Sequence, residues 1–379
     1  MRGTFRRHVG RRAPDRGTRR RKTEALGIGQ GGQDLAERAK ECDLVLHIGL
    51  HKTASSYVQG LLAECRDALL REGVLYPTTG IVDKSATGTR EGAGSGQALL
   101  SRPGRQHALK AQLFAELTEG VSTVLVSSEE FSRAGLRPTP ARLLARFSDF
   151  RSVRVVLVLR RQDNWIESYY KQVVDQYRNF ETRSFDDYFR QEGQSLLDFR
   201  SRFTLWRDLV GPENFHVLSY DDLPDGVAIC RRLLEIAGVR GPILEDLATV
   251  SVPKYDSVRA IDTVGLRILN SYRLDDRDTR TKTAKSIYDV GPRGDIELMS
   301  ASLREEIQAM CRPINQQIEA EWFAEPVPGF RFEQTPREST TSPPSGREVV
   351  DYVDRVISLC DGARTSPLPE AYWGRDGDE

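Results

Sequence analysis

Long apolar runs are absent from this sequence. No window approaches the roughly 18 to 20 consecutive apolar residues that a membrane-spanning helix requires, and the arginine-rich start has no apolar stretch behind it, as a secretory signal would. The composition, 39% hydrophobic and 29% charged over 379 residues, is that of a folded globular protein with a sizeable core. We therefore expect a soluble, cytoplasmic protein.

The sequence also lacks paired metal-binding side chains. Its five cysteines lie far apart and form no CxxC pair, and its five histidines form no HxxxH or HxH pair. An odd number of separated cysteines argues against a disulfide framework. We predict reduced thiols and no bound metal, and we interpret His47, which lies inside an apolar run, as a core histidine. The cysteines are Cys42, Cys65, Cys230, Cys311 and Cys360.

The net charge is zero, but the charges are unevenly distributed. Residues 1–22 contain nine arginines, Lys22 and only one acid, Asp15, so the rest of the chain is about nine charges negative. A basic arm can bind nucleic acid. This arm is interleaved with Gly, Pro and Thr and has no regular aromatic spacing. We therefore predict that residues 1–40 form a disordered basic tail and that no nucleic acid is bound.

After the tail, short apolar runs alternate with segments of helical periodicity. Near-continuous apolar runs between helices indicate a parallel sheet that is covered on both faces. The predicted strands are residues 43–48, 121–126, 153–159 and 215–218. The predicted helices are residues 54–71, 106–117, 163–177, 226–237, 257–273 and 295–311.

Composition also suggests where the domain ends. Residues 77–105 are rich in Gly, Ser and Thr and predict a long exposed loop, either a lid over a site or a disordered segment. We predict one domain over residues 41–325, a linker rich in Pro, Ser, Thr and Glu over residues 326–346, and a C-terminal helix and tail over residues 347–379.

The segment 49–56, GLHKTASS, follows the first strand and opens the first helix. Unpaired N–H groups at such a helix start bind anions, and Lys52 adds a positive charge. The added hydroxyl donors are those of Thr53, Ser55 and Ser56. The segment therefore predicts a phosphate-binding loop in an α/β, P-loop-like three-layer fold with a central, mostly parallel sheet. The alternative is that the hydroxyls only cap the helix and Lys52 is a solvated charge.

This loop differs from the Walker A loop of ATP and GTP hydrolases. Gly49 lies only three residues before Lys52, and no glycine directly precedes the lysine. The strand 121–126 is followed by Ser-Ser-Glu-Glu and has no aspartate to hold magnesium. A P-loop kinase remains one alternative, and a non-catalytic nucleotide-binding module that uses the basic tail is another.

A second anion-binding pattern follows the third predicted strand. Arg160 ends that strand and Ser168 follows eight residues later. An arginine at a strand end can bind phosphate in a bidentate manner, although it can equally pair with a carboxylate such as Asp163 or Glu167. The two segments, in this order and each directly after a strand, resemble the PAPS-dependent sulfotransferases. The histidine before Lys52 resembles a bacterial branch with an HKT-type loop.

The resemblance implies a sulfotransferase with PAPS as co-substrate, no metal, and a carbohydrate or small-molecule acceptor. Arg160 and Ser168 would hold the 3'-phosphate, and Lys52 would stabilise the leaving 5'-phosphate. The chain departs from the usual pattern by having Ala54 in place of glycine and serines in place of threonines. The residues implied to hold the 5'-phosphosulfate are His51, Lys52, Thr53, Ala54, Ser55 and Ser56.

Sulfonate transfer also requires a base that accepts the proton of the acceptor. Glu129, directly beyond the second long apolar run, is the preferred candidate for this catalytic role, followed by Glu130 and His51. The alternative is that both glutamates only begin an exposed loop or pair with Arg160 or Arg161.

Overall fold

The structure, a computed structural model, covers the predicted domain with gaps. The predicted tail up to residue 30, the predicted loop from residue 82 onward and most of the predicted linker lie outside the described residues. The described residues are 31–81, 106–133, 135, 139–177, 179–223, 225–253, 257–323 and 343–364.

A five-stranded sheet forms the centre of the molecule. Its order is β2-β3-β1-β4-β5, and each pair of neighbouring strands is parallel. β1 therefore lies in the middle, between strands that follow it in the chain. The strands are β1 (Asp43–His47), β2 (Val74–Leu75), β3 (Thr123–Ser127), β4 (Ser152–Leu159) and β5 (Phe215–Ser219).

Helices cover both faces of the sheet. Among the described residues, no helix is both long and apolar enough to cross a membrane. The helices are α1 (Gly31–Glu41), α2 (Ser55–Glu64), α3 (Arg66–Arg71), α4 (Gln106–Ala115), α5 (Pro140–Leu144), α6 (Gln162–Asp175), α7 (Phe185–Gln191), α8 (Phe199–Val210), α9 (Gly226–Ile236), α10 (Ile243–Asp246), α11 (Ala260–Ser271), α12 (Arg277–Val290), α13 (Ala301–Trp322) and α14 (Gly346–Ala363).

The alternation of side chains along β1 separates two apolar cores. Leu44 and Leu46 point into the larger core, which the helices α4, α6, α8, α11, α13 and α14 help to build. Val45 points to the opposite face, where α2 and α9 pack. Each fully buried aliphatic side chain contributes about 1.5 to 3 kcal/mol relative to exposure. The predicted fold class, α/β with three layers around a central parallel sheet, is confirmed.

Several elements differ from the sequence-based expectation, and the helices α5, α7, α8 and α10 were not predicted. The helix predicted over 54–71 is divided at Cys65 into α2 and α3, and the two-residue strand β2 was not predicted. Residues 31–40 of the predicted tail belong to α1, whose Ala39 is fully buried. α12 was missed because its sequence is mostly polar and its start depends on Asp276, whose side chain accepts a hydrogen bond from the Thr279 amide at 2.7 Å.

The register of β4 places its end beyond that of β1. His47, the last residue of β1, pairs with Val156, and β4 continues for three more residues to Leu159. At about 3.3 Å per residue, this extension carries the chain roughly 10 Å past the end of β1. Arg160 therefore emerges beside the loop that follows β1.

Candidate functional site

The loop between β1 and α2 has an unusual backbone. Gly49 has φ of 46°, and two residues that are not glycine, Lys52 and Ala54, have φ of 66° and 58°. Each non-glycine residue in this region costs about 1 kcal/mol or more. A Cβ on Gly49 would lie 2.9 Å from Ser55 Oγ, so a side chain at this position would also collide with the start of α2. The backbone of the loop is therefore strained, and it packs closely against the N-terminus of α2.

The hydroxyl residues of the loop do not cap α2. Ala54 is the N-cap residue and makes no side-chain cap bond. Thr53 is fully buried, and its hydroxyl donates to the carbonyl of Leu50 at 2.5 Å, so this side chain closes the loop. Ser55 Oγ is buried and has no hydrogen-bond partner within the described residues. An uncapped helix start beside an unpartnered buried hydroxyl is chemically suited to an anionic oxygen.

Lys52 supplies a positive charge to this loop. Its ammonium group forms no ion pair or hydrogen bond within the described part of the chain. Burial lowers the pKa of Lys52, and the charges of Arg160 and Lys171 lower it further, while the charge of Asp175 opposes them in part. A bound anion would relieve this repulsion and favour the charged form of the lysine.

Arg160 connects the two segments that the sequence singled out. Its Nη1 donates to the carbonyl oxygen of Lys52 at 3.0 Å, and its guanidinium lies 4.8 Å from the centre of the Tyr220 ring, just beyond β5. The next residue, Arg161, pairs with Asp163, to which its Nε donates at 2.6 Å. The ends of β1, β4 and β5 therefore meet at one edge of the sheet.

Ser168 lies on α6 and is almost completely buried. The same helix contacts the loop through Trp165, whose Nε1 donates to the carbonyl of His51 at 2.8 Å. Two backbone carbonyls of the loop are thus held by side chains from the β4–α6 segment. The assignment of Ser168 to a 3'-phosphate remains a prediction.

The three candidates for the base lie together at the end of β3. Glu129 Oε2 accepts a hydrogen bond from Gln59 Nε2 at 2.9 Å. Glu130 instead faces His51 Nε2 at 3.3 Å and Arg133 at 3.7 Å. The Cβ of Glu129 is 3.5 Å from the position that a Cβ on Gly49 would occupy, so Glu129 adjoins the start of the loop between β1 and α2.

A buried polar network beneath the loop was not predicted. It joins Glu129 to Gln59, Gln59 to Ser127 at 3.3 Å, and Ser127 to His47 Nδ1 at 2.8 Å. The expected core histidine is therefore hydrogen-bonded on one side, but its Nε2 has no partner within the described residues. Burial lowers the pKa of His47 to about 4. The signal that sequence reasoning overlooked was a polar Gln59 on the apolar face of the first helix.

Metal binding gains no support from the geometry. In the ranges that the structure describes, no group of three or more His, Cys, Asp or Glu side chains is placed to hold a metal ion. The five cysteines are all free and buried.

Comparison with known proteins gives a distant structural likeness. No protein-family model matches this chain, and no curated protein matches it. The chain is similar to the crystal structure of a sulfotransferase from Alicyclobacillus acidocaldarius, at 17% sequence identity and a TM-score of 0.42. The alignment covers 73% of this chain and 94% of that chain. Similarity of this degree fixes neither an activity nor an acceptor.

Proposed function

We propose that this chain is a PAPS-dependent sulfotransferase with an HKT-type loop, which transfers a sulfonate group to a hydroxyl or amine of a carbohydrate or small-molecule acceptor. The observation that carries the proposal is the hydrogen bond from Arg160 to the carbonyl of Lys52. It joins two anion-binding segments that lie about a hundred residues apart in the sequence, as binding of a nucleotide with phosphates at both its 3' and 5' positions requires.

The residues present fit the two ends of such a nucleotide. The uncapped start of α2, the unpartnered Ser55 hydroxyl and Lys52 suit the 5'-phosphosulfate. Arg160 and Ser168 suit the 3'-phosphate. His51, Thr53, Ala54 and Ser56 shape the loop between β1 and α2, with Thr53 acting through its bond to Leu50.

PAPS supplies an activated sulfonate whose leaving group is a phosphate. In the transfer, the acceptor oxygen bonds to sulfur while the sulfur–oxygen bond to the 5'-phosphate breaks, and the electron pair stays on the phosphate oxygen. Lys52 would stabilise the charge that develops there, and Glu129 would accept the acceptor's proton. Neither task requires a metal.

Calorimetric titration with 3',5'-adenosine bisphosphate, in the absence of metal, tests the nucleotide site. We expect the wild-type chain to bind it, and we expect Lys52→Ala and Arg160→Ala each to weaken binding by about tenfold to a hundredfold, because each removes a charge-assisted bond. Arg190→Ala is the matched control, since Arg190 is exposed and pairs with Glu306 away from the site.

Two other outcomes would support the alternative functions, a kinase or a non-catalytic binding module. Binding of ATP with magnesium in preference to the bisphosphate would favour a kinase. Loss of bisphosphate binding on deletion of residues 1–22 would favour a module that uses the basic tail. Transfer itself is measured with sulfur-labelled PAPS and a panel of phenols, sugars and amines.

A further inference from the structure

Gln59 occupies a position on α2 that favours an apolar side chain. It is fully buried, and its helix neighbours Val58, Leu61 and Leu62 are buried in the core between α2, α9 and the sheet. Burying an amide costs free energy unless its hydrogen bonds are replaced. A glutamine at this position therefore needs hydrogen-bond partners for its amide, and a leucine could not form such bonds.

Those partners are at the end of β3. Both hydrogens of Gln59 Nε2 are used, one toward Glu129 Oε2 at 2.9 Å and one toward Ser127 Oγ at 3.3 Å. The bond to the carboxylate is charge-assisted and is the shorter of the two. The amide thereby holds Glu129 from one direction, through one oxygen.

The other carboxylate oxygen is left open. Glu129 Oε1 makes no hydrogen bond within the described residues, and Glu129 is only partly buried. The rest of the network is neutral at pH 7, because burial keeps His47 uncharged. One oxygen is therefore fixed by a buried amide while the second remains available at the edge where the phosphate loop begins.

We propose that Gln59 is a positioning residue, which orients the Glu129 carboxylate so that its free oxygen accepts the proton of the acceptor. The role rests on the proposed function, since it concerns the base of that reaction. A purely structural glutamine would tie α2 to β3 and would affect stability without a specific effect on turnover.

The test is the variant Gln59→Met, which keeps the length of the side chain and removes both donors. Turnover of PAPS is followed as release of 3',5'-adenosine bisphosphate, with each panel acceptor and with water alone. We expect kcat to fall about tenfold to a hundredfold, as misplacement of a base does, while KM for PAPS changes less than about twofold because the phosphate contacts remain. Gln59→Leu, which extends the apolar face of α2, is a second variant that favours folding.

A double-mutant cycle separates positioning from other effects. Glu129→Gln should itself lower kcat, and adding Gln59→Met to it should cause little further loss, because the residue being positioned is already disabled. Gln162→Met is the matched control: Gln162 is equally buried, but its amide bonds to Asn315 on α13. It should leave kcat and KM near their wild-type values.

Three results would overturn the role of Gln59. These are unchanged kcat in folded Gln59→Met and Gln59→Leu, full multiplicative losses in the double variant, or no effect of Glu129→Gln. Failure of the wild-type chain to bind the bisphosphate or turn over PAPS would instead refute the proposed function, and the role would fall with it.

Discussion

Ala54 combines two properties that seldom occur together: it begins α2, and it has a left-handed backbone with φ of 58°. A residue with a Cβ pays about 1 to 2 kcal/mol for that conformation, which glycine adopts freely. The strain is local, and the fold of the rest of the loop compensates for it.

Ala54→Gly should therefore raise the free energy of unfolding by about 1 kcal/mol, measured by urea denaturation. Ala63→Gly is the matched control, because Ala63 lies within the right-handed part of α2. There the same change should lower stability by about 1 kcal/mol. Equal effects of the two substitutions would contradict the strain at Ala54.

His47 makes stability depend on pH. Its pKa is lowered by burial from the ordinary value of 6.5 to about 4, so the unfolded chain binds its proton at a higher pH than the folded chain does. The stabilisation that the folded protein gains from keeping His47 uncharged is fully present above pH 6.5 and is lost as the pH falls toward 4. His216 contributes in the same direction, since burial also lowers its pKa.

Between pH 7.5 and pH 5, we expect His47 alone to account for a loss of about 2 kcal/mol in the free energy of unfolding. Urea denaturation at the two pH values measures it, with His47→Asn for comparison. The His47→Asn variant should lose correspondingly less stability than the wild-type chain over this pH change. Both proteins contain His216, so its contribution cancels when the two losses are subtracted. The same loss in both proteins would show that His47 does not titrate as described.

At the scale of the element, α14 is joined to the domain more closely than its sequence position suggests. The helix begins with a capping box between Ser345 and Glu348, and it packs against α11 and α12. Tyr352 is fully buried, while Val350 on the outer face of the same helix is 59% exposed. The helix therefore completes the larger core.

Tyr352→Ala should lower the free energy of unfolding by about 3 kcal/mol, because it leaves a large cavity. Tyr352→Phe should be neutral or slightly stabilising, since the buried hydroxyl has no hydrogen-bond partner within the described residues. Val350→Ala, the surface control on α14, should cause no loss. Urea or thermal unfolding distinguishes these outcomes, and a small effect of Tyr352→Ala would mean that α14 packs only loosely.

Elements with strong apolar patterns could be predicted from the sequence, and others could not. The four longer strands are continuous apolar runs, and their predicted positions agree with β1, β3, β4 and β5 to within about two residues. β2 has only two residues and α12 has few apolar ones, so neither has a detectable period. Their formation depends on tertiary contacts and on local capping.

At the scale of the whole molecule, the sequence predicted which candidate residues lie close together but not how they are bonded to one another. Parallel strands bring their carboxyl ends to one edge, which explains why Lys52, Glu129 and Arg160 could be grouped from strand positions alone. The partners of each side chain depend on rotamers and register. For this reason the bond from Arg160 to the Lys52 carbonyl, the pairing of Arg161 with Asp163, and the link from Gln59 to Glu129 required the three-dimensional structure.

The central position of β1 has a consequence for the order in which the protein folds. β1 is made before both of its neighbours: β3 begins at Thr123 and β4 at Ser152. At about 5 to 20 residues per second, a ribosome takes several seconds to add them. During that interval the loop between β1 and α2 has neither the guanidinium of Arg160 nor the network of Glu129 to hold it. The candidate site is therefore completed during the later steps of synthesis, and a nascent chain that stops before β4 leaves unpaired the N–H and C=O groups on the side of β1 that β4 covers.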